Sequence, residues 1–212
     1  NKQLADVGAH LLQARLRTLA LLLPQLQRAY TELTDGSKSV SLVYDSTIFP
    51  PISANLLPTA ALMGVDDLRE AMLRGFADKQ REELERGVTL VGPHRDDLAL
   101  ELGGIPVKGF ASHGESWSYA LALKLASWYV HLADNDAPGA SPILILDDVF
   151  AELDTARRHK LGAIVAGAEQ VLVTCAVASD IPEELGHITL VRVEPGRAWV
   201  DLSPLGDIPE KE

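Results

Sequence analysis

The run Ile143-Leu144-Ile145-Leu146-Asp147-Asp148 constrains the fold of this chain more than any other stretch. Four apolar residues lead straight into two carboxylates. An unbroken apolar run of this length predicts a strand buried on both faces, as in the parallel sheet of an α/β fold. The carboxylates then fall at the carboxyl end of that strand, where open α/β sheets bind ligands. An acid there can hold the Mg2+ of a nucleotide, directly or through water. Its neighbour can orient an attacking water. Taken alone, the pair is equally well explained as a buried strand ending in an Asp-Asp turn.

The flanking residues shift that balance. The strand with its acids is the Walker B arrangement, and Ala151-Glu152-Leu153-Asp154 after it resembles the D-loop of ABC-type ATPases. Asp154 also reads as an N-cap for a helix from residue 155. About thirty residues upstream, Ala111-Ser112-His113-Gly114-Glu115 opens a helical pattern running to about His131, with Trp117, Leu121, Leu125, Trp128 and Leu132 as a core stripe. Ser112 is placed to cap this helix, and Glu115 three residues later completes a capping box. The same start is an anion site, because its free N–H groups and positive dipole end face outward. Gly114 lets backbone approach a phosphate. The segment is similar to the ABC signature loop, whose contact is the γ-phosphate held by a second subunit.

A third motif is Gly92-Pro93-His94-Arg95-Asp96-Asp97. Together with Ala120-Leu121-Ala122-Leu123-Lys124-Leu125-Ala126, with Leu146 through Asp154, and with Arg157 and Leu161, it resembles the RecF family. These are SMC-like ABC ATPases of bacterial recombinational repair. The likeness is dense over residues 88–175 and looser over the helical first 85. It implies an α/β fold: the C-terminal lobe of an ABC/SMC-type ATPase head (87–212) with a helical arm subdomain (1–86), a fragment of the family's domain II. It implies ATP and Mg2+ as cofactors, and a homodimer formed on ATP. It further implies DNA binding at single-strand gaps and single-strand/duplex junctions, and RecA loading together with RecR and RecO. These roles belong to DNA replication, recombination and the SOS response. The expected setting is cytoplasmic and nucleoid-associated.

Residue roles follow from the same resemblance. Asp147 is the expected Mg2+ acid and Asp148 the water-positioning group; ABC enzymes usually place Glu there, so the shorter Asp implies slow turnover. Ser112, His113, Gly114 and Glu115 are expected to meet nucleotide in trans, although His113 stands where the family favours glutamine. Thr174 and Cys175 occupy the switch position, where many ABC enzymes have His. Cys175 cannot form the histidine's hydrogen bonds well and is expected to be a packed small residue. His94, Arg95, Arg157 and Arg158 are candidates for DNA contact or nucleotide sensing, with local ion pairs as the plainer reading. Arg15, Arg17 and Arg28 are further phosphate-contact candidates.

No G-x-x-x-x-G-K-[ST] loop occurs in the sequence; Gly36-Ser37-Lys38-Ser39 lacks the first glycine and reads as a turn. RecF proteins carry their P-loop near their own start, so the chain is expected to be roughly the C-terminal half of one, with its Walker A half as a partner. A net charge of −11 rules out a surface basic all round, so any DNA contact has to be local. One cysteine excludes an internal disulfide, and no apolar run is long enough to span a bilayer.

Elsewhere, residues 2–34 predict two helices broken or kinked at Pro24. Asp35-Gly36-Ser37 predicts a turn, and Val40–Tyr44 a strand. Asp66 is expected to cap a helix to about Arg86 with Leu68, Leu73, Phe76 and Leu84 inward. Hairpins are expected over 98–107 and 188–202, a helix over 155–168, a strand over 171–174 and a frayed tail over 207–212. The rival readings are a non-enzymatic module that binds partners or DNA, another SMC-like head, and a metal-dependent hydrolase. The absence of long heptads argues against the second, and of a His cluster against the third.

Overall fold

A computed structural model describes residues 1–36, 38–134 and 141–201. Ser37, Leu202 and the tail over 207–212 lie outside the described residues. The chain forms two compact units, Asn1–Val130 and His131–Glu212.

The first unit is built on one long helix, α1 (Lys2–Thr34), which does not break at Pro24. A proline inside a helix removes one backbone hydrogen bond and costs about 3 kcal/mol. Packing outweighs that cost: Leu12, Leu16, Leu26 and Leu33 are at most 1% exposed, and each buried leucine contributes about 1.5–3 kcal/mol. The helix lies against α3 (Val65–Arg86) and strand β1 (Val40–Asp45). Between them come β2 (Ile52–Ser53) and the short α2 (Leu57–Ala60).

Helix α3 starts one residue earlier than Asp66, with Gly64 at its cap. Its buried face is Leu68, Ala71, Met72 and Phe76. Leu84, expected inward, is 77% exposed, because the last turns extend beyond the residues that cover the first half. Gly75, a weak point for a helix, has a reason to be there: a Cβ would come within 3.0 Å of Val91. It therefore lets the segment before β3 pack closely.

Strands β3 (Asp97–Leu102) and β4 (Ile105–Pro106) form the expected hairpin through Gly103-Gly104. The sheet is antiparallel throughout, in the order β2-β1-β3-β4. Helix α4 (His113–Ala133) follows, burying Leu121, Leu125 and Trp128, whereas Trp117 and Leu132 are only partly covered.

In the second unit β5 (Leu144–Asp147) and β6 (Val171–Thr174) pair in parallel around α5 (Thr155–Val165). The β5 run, expected to be buried on both faces, is not: Leu146 is 6% exposed but Ile145 is 67% exposed. Alternate residues of a strand point to opposite faces, and within this chain only the Leu146 side is covered. Strands β7 (Leu190–Glu194) and β8 (Arg197–Asp201) form the second expected hairpin. No helix among the described residues is long and apolar enough to cross a membrane.

Candidate functional site

The two acids at the end of β5 are held by the neighbouring strand. The parallel register sets Asp147 opposite Thr174. The Thr174 hydroxyl donates to Asp147 Oδ1 at 2.5 Å. Thr174 Oγ1 in turn accepts from the Asp148 backbone N–H at 3.0 Å, and the Thr174 carbonyl lies 3.2 Å from that nitrogen. Asp148 has φ 54°, in the left-handed region, which costs an L-residue roughly 1–2 kcal/mol and costs Asp or Asn least. One threonine thus orients the first carboxylate and fixes the turn carrying the second. Both carboxylates are exposed. Spacing along the sequence could place Thr174 at a switch position; only the register revealed this link.

Among the described residues no group of three or more His, Cys, Asp or Glu side chains could hold a metal. The donor set nevertheless suits Mg2+ of a particular kind. Mg2+ in nucleotide sites takes one or two carboxylates and completes its shell with phosphate oxygens and water. Asp147, an exposed oxygen ligand with its orientation fixed by Thr174, fits that role.

Next to Thr174, Cys175 is partly buried. Burial, then the negative charges of Asp180 and Asp148, pushes its thiol up, so it stays protonated and poorly nucleophilic.

After β5 the chain makes a 3-10 turn over Phe150–Glu152, with Phe150 and Leu153 buried and Ala151 and Glu152 exposed. Asp154 then caps α5: its Oδ1 accepts from the Arg157 N–H at 2.9 Å, and its Oδ2 pairs with the Arg157 guanidinium at 3.0 Å. The basic run beyond it is engaged internally. Arg158 pairs with Asp180 at 3.1 Å and reaches the Ser179 carbonyl, while His159 meets Glu184 at 2.7 Å.

The start of α4, in the first unit, is a capping box. The Ser112 N–H donates to Glu115 Oε2 at 2.8 Å, and the Glu115 N–H donates to Ser112 Oγ at 3.3 Å. His113 is exposed, and the Gly114 carbonyl accepts from Ser118 Oγ at 2.8 Å. Lys38, then the Ser112 amide and hydroxyl, hold the Glu115 carboxyl down at about 2. A depressed carboxyl contributes stability fully above its unfolded value of 4.5, and loses it as pH falls through about 2. The thermal midpoint of the chain should therefore exceed that of Glu115→Gln at neutral pH. That gap should close between about pH 4.5 and 2; a gap constant across this window would remove the capping box from the account.

The Gly92–Asp97 motif forms a tight internal knot. Asp96 accepts from the Tyr44 hydroxyl at 2.7 Å and from the Thr47 amide and hydroxyl at 2.8 Å each. Burial, with Asp96 adding to it, raises the Tyr44 phenol to about 12. Gly92 sits at φ 124° with its N–H on Thr47 Oγ1, a backbone state open to glycine. His94 meets Thr89 Oγ1 at 2.8 Å, Arg95 Nε donates to the Thr89 carbonyl at 2.8 Å, and Arg15 donates to the Pro93 carbonyl. Of the other phosphate candidates, Arg28 pairs with Glu32 and stacks on Tyr129, whereas Arg17 is exposed.

No family model matches the chain. Solved structures and curated proteins do. The described fold aligns with the recombination mediator protein RecF–ATPrS of the RecFOR pathway at a TM-score of 0.74 and 21% identity, covering 96% of this chain and 49% of that one. A RecF–ATP structure aligns at 0.72 and 20%, covering 94% and 50%. The fold is thus α/β, shared with about half of each of these RecF structures. In sequence the chain is 50% identical to the DNA replication and repair protein RecF of Pseudarthrobacter chlorophenolicus, and 52% identical to that of Paenarthrobacter aurescens. Each match covers 92% of this chain and 52% of the relative. The chain belongs to the RecF family, as a C-terminal portion of it, and it spans about half the length of the curated relatives it matches.

Proposed function

We propose that this chain supplies two contributions to the nucleotide sites of a RecF-type repair ATPase. Asp147, Asp148 and Thr174 complete the site of their own subunit. Ser112, His113, Gly114 and Glu115 meet the nucleotide held by a second subunit, and Asp154 with its D-loop braces the dimer. The observation that carries this reading is the Thr174 link between the two acids, found in a chain half identical to proteins named for DNA replication and repair.

In this reading Asp147 would hold the Mg2+ of the nucleotide, which would supply neutralising charge for the phosphates when bound. Asp148 orients the attacking water. Residues 1–86 act as the arm and 87–212 as the head lobe. ATP closes two heads into a dimer on DNA at single-strand gaps and duplex junctions, where it helps RecR and RecO load RecA; hydrolysis reopens it. With Arg157, Arg158 and His159 paired internally, the better DNA candidate is the exposed Arg17.

The absence of a P-loop motif from the sequence favours a second reading for the chain by itself: a non-catalytic module that binds partners. Calorimetry separates the two levels. These 212 residues alone should give no one-to-one isotherm with ATP and Mg2+ in the micromolar range, about −8 kcal/mol. A RecF chain carrying both the P-loop half and this sequence should give one. Tight binding by the 212 residues alone would overturn the division of labour.

A further inference from the structure

Lys38 belongs to the Gly36-Ser37-Lys38-Ser39 stretch, which the P-loop comparison leaves as a mere turn. In the fold it lies two residues before β1, and its stem runs along Gly103, whose Cβ would stand 3.8 Å from Lys38 Cδ. The ammonium reaches across 77 residues of sequence to Glu115 Oε1 at 2.5 Å. Glu115 spends its other oxygen on the Ser112 amide, and its own N–H on the Ser112 hydroxyl. Both oxygens of the carboxylate are therefore committed, to partners in different directions. One helical turn later, at i+4 on the same face of α4, the Tyr119 hydroxyl donates to the Ser41 carbonyl at 2.6 Å. The start of α4 is thus tied twice, once by a charge to Lys38 in the α1–β1 connection and once by a neutral bond to Ser41 within β1.

We infer that Lys38 is a positioning residue for the Ser112–Glu115 segment, acting through Glu115, and that it links the arm to the loop proposed to meet nucleotide in trans. The inference rests on that trans-site reading. The pair is exposed, with side chains 50% and 25% accessible, and such pairs add little to global stability. A capping glutamate free to rotate, however, releases the Ser112 amide and leaves the box closed only by the Glu115 backbone N–H on the Ser112 hydroxyl. Loss of Lys38 should leave the fold intact and loosen the loop. Any shift at the start of β1 is carried to the same place, since Lys38 lies just before the strand and Ser41 within it.

The test uses a RecF chain that carries both the P-loop half and these residues. Dimer mass with a nonhydrolysable ATP analogue is measured against protein concentration, alongside nucleotide affinity and thermal midpoint. Lys38→Met should weaken nucleotide-driven dimerisation about tenfold, the scale of one charge-assisted hydrogen bond. Nucleotide affinity and the thermal midpoint should stay close to the unsubstituted values. Glu115→Gln should weaken dimerisation to the same extent, together with the lower midpoint expected from loss of its capping carboxylate; the double variant should dimerise no worse than either single one, and Lys38→Arg should restore dimerisation. Amide exchange over residues 112–116 should quicken in Lys38→Met while that of β1 does not, a readout independent of the dimer assay.

Full dimerisation by Lys38→Met, when Ser112→Arg abolishes it, would overturn the inference and leave the trans site standing. Dimerisation by both variants would overturn the trans site, and the inference with it. Additive losses of about a hundredfold in the double variant would mean that Lys38 acts without Glu115, and would overturn the positioning role. A lowered midpoint with exchange quickened in β1 as well would make Lys38 a structural residue only.

Discussion

Ser112→Arg should abolish nucleotide-driven dimerisation in a RecF chain containing this sequence, while each subunit still binds ATP nearly as well. In the proposed dimer, first contacts with ATP are made by the P-loop of the same subunit, Ser112 is not among them, and the α4 start arrives only with the second subunit. Ser112 is exposed there, and its hydroxyl and amide are held by Glu115. A guanidinium on three methylenes fills the space beside Gly114 that a phosphate needs. Its charge suits phosphate, yet closely packed interfaces penalise excess volume more heavily than one added contact repays. Light scattering with and without a nonhydrolysable analogue, paired with nucleotide affinity by fluorescence, reads both halves. A variant that dimerises fully would reduce residues 111–115 to a helix cap.

Asp148→Asn should slow hydrolysis by about a hundredfold or more, the usual scale of a lost general base or water-orienting charge, while ATP-dependent dimerisation persists. The substitution is clean at this position. Asp148 is held in the left-handed region by its own N–H on Thr174, and Asn enters that region as readily as Asp. Backbone and shape are kept; only the charge goes. Asp147→Asn should have the other phenotype, weaker Mg2+-dependent nucleotide binding, because a charged ligand oxygen is lost. Single-turnover rates and Mg2+ titrations of the two variants tell them apart. Exchanged phenotypes would reverse the assignment of the two acids.

What the sequence made legible was mostly local. The Ser112–Glu115 box, the Asp154 cap and the two hairpins depend on residues at most a few positions apart, and each formed as expected. Pro24 was misread because a proline penalty is local, whereas the leucines that override it are paired with residues far along the chain. Leu84 was misread for the reverse reason: helical periodicity continued past the point where anything covers it. Apolar Ile145 is written for two covered faces, but this chain covers one. The links that organise the candidate site, Thr174 to Asp147 and Lys38 to Glu115, span 27 and 77 residues. No spacing rule reaches that far; strand register and tertiary packing set them.

The turn at Asp148 carries a meaning for time as well as for shape. A left-handed residue selects short side chains that bond locally, so Asp is at home there, and the longer Glu common among ABC enzymes would meet a backbone less suited to it. In the proposed site the shorter acid reaches less far toward an attacking water, and a complex proposed to stay closed on a gap while others assemble would gain from a slow catalyst. In the proposed cycle, one positive backbone angle thus works as a clock, setting how long the closed state waits before it lets go.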